Sequence, residues 1–131
     1  MRILIALLLT LTLVAPASAD LLVPMDDAQQ NHLKAYGHTF HALQAGEKVT
    51  WLLNYRGGSF LMRDTARARM DARLLGVDFE ELDEGDVQRI HQVVQQENME
   101  EVLLEKPPRI AVYSPPNKQP WDDAVTLALT Y

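Results

Sequence analysis

The chain has 131 residues, 12 basic and 18 acidic side chains, and a formal charge of −6. That balance excludes nucleic acid and anionic lipid as main partners, because both require a basic face. Cysteine is absent, so disulfides, thiol catalysis and cysteine–metal sites are excluded within the chain.

The first nineteen residues read as a secretory signal peptide. Met1-Arg2 is a short basic start, Ile3 to Val14 is a twelve-residue apolar run, and Ala17-Ser18-Ala19 is a small-x-small cleavage site. A membrane anchor is the weaker reading, since about twenty apolar residues are needed to span the hydrocarbon. Cleavage between Ala19 and Asp20 predicts a periplasmic or secreted protein with no stable membrane insertion. Removing 19 of the 131 residues leaves 112, enough for one small core and not two. Residues 20–131 are therefore read as part of a single α/β domain.

Leu21-Leu22-Val23 predicts a brief strand that Pro24 stops. Asp26 or Asp27 is expected to cap a helix whose apolar stripe is Leu33, Tyr36, Phe40 and Leu43, with Gly46 at its left-handed end. Gly37, inside this helix, is expected to mark a close packing partner. Val49 to Tyr55 is apolar on both faces, the pattern of a parallel strand covered on both sides. After the glycine loop, Asp64 is expected to cap a helix from Thr65 to Leu75, ended by Gly76, with Val77 to Phe79 as the next strand. Strand, helix and strand within about thirty residues predict a βαβ unit. The arginines at 63, 67, 69 and 73, interleaved with Asp64 and Asp71, read as a salted helix face.

Asp78 to Asp86 carries six acidic side chains in nine residues. A solvated turn and helix start is the reading; a calcium loop is disfavoured because the order of oxygen ligands fits no standard loop. Val87, Ile90, Val93 and Val94 predict a third helix fading near Asn98. Val102-Leu103-Leu104 is either its last turn or a short strand. Arg109 to Tyr113 predicts a strand, and Pro120 starts a helix that runs to Tyr131 with no capping residue. That unfinished helix leads us to expect that the chain is truncated at its C-terminus.

The predicted fold class is α/β, a parallel-sheet three-layer domain, Rossmann-like or class I amidotransferase-like. Ligands bind such sheets beyond the carboxyl ends of the strands. Three loops are expected there: Pro24 to Asp27, Asn54 to Ser59, and Ser114 to Asp123. In Arg56-Gly57-Gly58-Ser59, backbone N–H groups and a guanidinium suit an anion, although a plain tight turn whose glycines only supply positive φ is the favoured account. Around Trp121, Asn117, Lys118 and Asp122 suit a polar ligand; packing of Trp121 at a helix start is the plainer account.

Neither Ser59 nor Ser114 lies in a Gly-x-Ser-x-Gly elbow. No Glu completes a His-Glu-x-x-His pattern, so His38 and His41, three apart on one helical face, are read as solvent-facing. No catalytic residue, metal or cofactor is assigned.

Leu22 to Asp27, Gln30 to Gly37, Trp51 to Phe60 and Pro116 to Tyr131 resemble successive blocks of exported bacterial proteins labelled asparagine synthetase B. The resemblance covers nearly all of the chain after residue 19 and implies members that continue past Tyr131. It also implies carbon–nitrogen bond chemistry. The chain differs from a glutamine-dependent synthetase in having no cysteine nucleophile and no Ser-Gly-Gly-x-Asp-Ser pyrophosphate loop. Two alternatives stand beside that implication: a non-catalytic periplasmic module that binds a polar or anionic ligand, and a structural or partner-binding envelope domain. The candidate ligand-binding residues are Asp26, Asp27, His32, Asn54, Arg56, Gly57, Gly58, Ser59, Asn117, Lys118, Trp121 and Asp122.

Overall fold

The computed structural model of the chain describes residues 19–112 and the single residue Ala128. Five strands and three helices follow in the order β1 (Asp20–Val23), α1 (His32–Gln44), β2 (Val49–Leu52), β3 (Ser59–Arg63), α2 (Ala66–Leu75), β4 (Glu80–Leu82), α3 (Glu84–Gln96) and β5 (Glu101–Leu104). They form one sheet in the order β4-β1-β3-β2-β5. Every neighbouring pair is antiparallel. The expected parallel three-layer, Rossmann-like or amidotransferase-like domain is thus overturned.

The cause lies between Leu52 and Ser59. Asn54, Arg56, Gly57 and Gly58 all take positive φ, and a 3₁₀ turn at Tyr55–Gly57 carries the reversal. The chain therefore turns back on itself instead of leading into a helix. Ser59–Arg63, to which the βαβ reading gave no strand, becomes a strand, buried except for Arg63, paired with both β1 and β2. Strand–helix–strand is replaced by a hairpin.

Register divides the side chains between two faces. Leu21, Val23, Val49, Phe60 and Met62 form one core with Ala35 and Leu43 of α1 and Ala68 and Ala72 of α2. Leu22, Leu52, Leu61 and Leu82 form the other with Ile90 and Val94 of α3. With helices on both faces, Leu21–Val23 of β1 and Phe60–Met62 of β3 are apolar on both sides, a pattern shared with parallel central strands.

The helix ends follow local chemistry. Thr65, not Asp64, caps α2 by accepting from Ala68 N at 3.1 Å. Gly76 ends that helix at φ +68. Asp83 and Asp86 form a capping box on α3, so the acidic run does serve a helix start. The first helix begins later than expected: Asp26 and Asp27 lie in the turn before it, and Asn31 precedes it without a side-chain cap bond. The strand expected at Val77–Phe79 forms instead at Glu80–Leu82, and Val102–Leu104 belongs to a strand. Arg109–Val112 forms no strand, and the helix expected from Pro120 lies outside the described residues except for Ala128, which is helical and exposed.

Candidate ligand-binding site

β1 and β2 both run antiparallel to β3, so their carboxyl ends share one end of the sheet. This brings the turn after β1 against the glycine loop. Met25 N donates to Arg56 O at 3.2 Å, and Ser59 Oγ donates to the same carbonyl at 3.1 Å. A Cβ on Gly57 would lie 2.3 Å from Met25 O, so only glycine fits this close approach. His32 Nε2 donates to Met25 O at 3.2 Å.

The Arg56 guanidinium is filled from within the chain. Its Nε lies 2.6 Å from Asp26 Oδ2, and one terminal nitrogen lies 2.9 and 3.0 Å from the two Glu80 oxygens. Hydrogen bonding to Asp26 raises the Arg56 pKa, outweighing its burial, and Glu80 adds to the effect. In turn the guanidinium holds the Asp26 carboxyl below its ordinary value. The structure therefore brings Asp26, His32, Arg56, Gly57 and Ser59 together as a clamp between two loops. Asp27 and Asn54 are exposed. Asn117, Lys118, Trp121 and Asp122 lie outside the described residues.

Gly58 links this clamp to a different surface. Its carbonyl accepts from Trp51 Nε1 at 3.0 Å, which fixes the indole along the sheet. Trp51 stacks on Phe60 at 6.1 Å, and Tyr36 meets the same Phe60 ring edge-on at 5.6 Å. Together with Phe40, Leu43, Leu104 and Pro108 these rings line an open groove of about 580 Å³ between α1 and the β2–β5 side of the sheet.

The sequence placed Tyr36, Phe40 and Leu33 in the buried stripe of the helix. Instead the small or polar residues Ala35, His38 and Thr39 are buried with Leu43, while Leu33 is 86% exposed and Tyr36 is 51% exposed. A Cβ on Gly37 would meet nothing within 4 Å, contrary to the expected packing partner, and this glycine lies on the groove wall.

A second cluster lies between α1 and α2. His38, only 1% exposed, donates from Nδ1 to Asp71 Oδ2 at 2.8 Å. His41 Nδ1 lies 3.1 Å from Asp71 Oδ1. The solvent-facing reading of His38 is thus overturned, and Asp71 faces histidines instead of a salted arginine row. Burial alone would raise the Asp71 carboxyl, but the two imidazole donors outweigh it and hold the pKa below its ordinary value. Nε2 of His38 is buried and has no partner among the described residues. Two histidines three apart on a helix were the available signal; the facing carboxylate, thirty residues on, was not.

Among the described residues no helix is long and apolar enough to cross a membrane. No protein-family model, curated protein or solved structure matches the chain.

Proposed function

We propose that the chain is a ligand-binding module of an exported envelope protein, and that its ligand sits in the aromatic groove. The observation that carries this reading is the open groove beside Phe40, where the half-exposed Tyr36 and the partly exposed Trp51 pack on the buried Phe60 ring. Exposed ring faces in a concave, almost wholly apolar surface favour a ligand with a flat apolar part. Lys106 at the rim suits a negative substituent on that ligand. The glycine loop then acts one step back, seating Trp51 through the Gly58 carbonyl. Binding is preferred over thiol-dependent amide transfer because the chain supplies no cysteine. Membership of the group labelled asparagine synthetase B, and export through a cleaved signal peptide, remain part of this proposal.

The test is titration with 8-anilinonaphthalene-1-sulfonate, whose fused rings and sulfonate match the groove and its rim. Saturable fluorescence at one site is expected, weakened at least tenfold in Tyr36→Ala and Phe40→Ala while cooperative melting is retained. Arg56→Ala separates the two candidate surfaces. If it abolishes binding while Phe40→Ala leaves it intact, the ligand belongs to the glycine loop and the groove assignment fails.

A further inference from the structure

Among the described residues the sheet ends in β4 and β5, and these two edges are finished differently. β4 has three residues, and both its carboxylates are engaged, Glu80 with Arg56 and Glu81 with Arg69. Short, charged strands of this kind resist pairing. β5 has four residues, contains neither Lys nor Pro, and exposes Val102 (37%) and Leu103 (54%).

Hydrogen-bond alternation shows which β5 groups point away from the sheet. Leu53 N donates to Glu100 O at 2.9 Å, so the backbone groups of Glu100, Val102 and Leu104 turn towards β2. Those of Glu101 and Leu103 turn outward.

We propose that β5 pairs with β5 of a second copy of this chain, antiparallel about a two-fold axis at Leu103. In that register Leu103 of each copy donates its N–H to the Leu103 carbonyl of the other. Val102 falls opposite Leu104 of the second copy, and Glu100 opposite its Lys106, an attraction that symmetry makes twice. Glu101 falls opposite Glu105, but each is already engaged at home. His91 Nδ1 lies 2.6 Å from Glu101 Oε1, and Lys48 Nζ lies 2.8 Å from Glu105 Oε1.

Sliding the axis one residue either way sets a carboxylate against Leu103 and loses the Glu100–Lys106 match. Register is therefore specified by the strand itself. Val102 and Leu104 share the groove face, so the second copy adds apolar wall to the open side of each groove. Leu103 shares a face with Thr50 and Leu61, on the α3 side, so altering it leaves the groove lining unchanged.

Sedimentation of the purified chain over a concentration series is expected to show a monomer–dimer equilibrium. Leu103→Lys should weaken it at least a hundredfold without changing the melting temperature of the dilute monomer. Because the chain has no cysteine, Leu103→Cys can pair only with its own copy. The Cα separation of about 5.5 Å in a hydrogen-bonded antiparallel pair suits a disulfide. Mild oxidation should crosslink Leu103→Cys much faster than Val93→Cys, another exposed site, on α3. A monomer at every concentration overturns the proposal, as does a dimer indifferent to Leu103→Lys or equal crosslinking of both variants. A monomer whose own stability falls in Leu103→Lys would assign the edge to a segment of the same chain.

Discussion

Gly57 carries the tightest steric constraint at the glycine loop. An added methyl group would strike the Met25 carbonyl, and φ is +80. Gly57→Ala is expected to destabilise folding by roughly 2–4 kcal/mol, read from urea unfolding, because clash and backbone strain add. The charges beside it set a pH dependence. Asp26 and Asp71 both have folded pKa values below the ordinary one. The stability they supply is whole above about pH 4, where the unfolded carboxyls have also ionised, and is lost as pH falls through the folded values. Melting temperatures should therefore drop on acidification below about pH 4, and less steeply in Asp71→Asn. An unchanged acid slope in that variant would show that ionisation of Asp71 contributes nothing to folding stability.

At the scale of the elements, the glycine helix end of α2 was legible, whereas the N-caps of α1 and α2 and the orientation of α1 were not. Gly76 is legible as the end of α2 from residue chemistry alone. For α1 the large apolar side chains suggested one inward face, yet small residues took it. Ala35 of α1 is buried in the same core as Ala68 and Ala72 of α2, and the two helices pack side by side. Tyr36 and Phe40 were displaced to the flank, where they became the groove. Periodicity finds an apolar stripe but cannot say which part of it a neighbouring helix will claim. Gly37 offers a direct check. With open space at its Cβ position, Gly37→Ala is expected to stabilise folding by about 0.5–1 kcal/mol in the same unfolding assay. A loss of stability would reveal a packing constraint at that turn of the helix.

For the whole molecule, β1 and β2 were legible as strands, whereas β3 and the strand directions were not. Apolar runs on both faces announce cover on both sides, and antiparallel strands between helices meet that description as well as parallel ones do. The discriminating fact was a reversal inside Asn54–Gly58, built from two non-glycine residues at positive φ as well as two glycines. Of the candidate site, Asp26, Arg56 and the glycines do meet at one end of the sheet, for strand directions other than those expected. Their charges then met each other. The contrast between a three-residue, ion-paired β4 and an apolar β5 also limits how far this sheet can grow. A protein with two sticky edges can polymerise without end, whereas one with a single adhesive edge has a valence of one. Association through β5 would stop at two chains, with both outer rims already sealed, so concentration should drive pairing and not fibres.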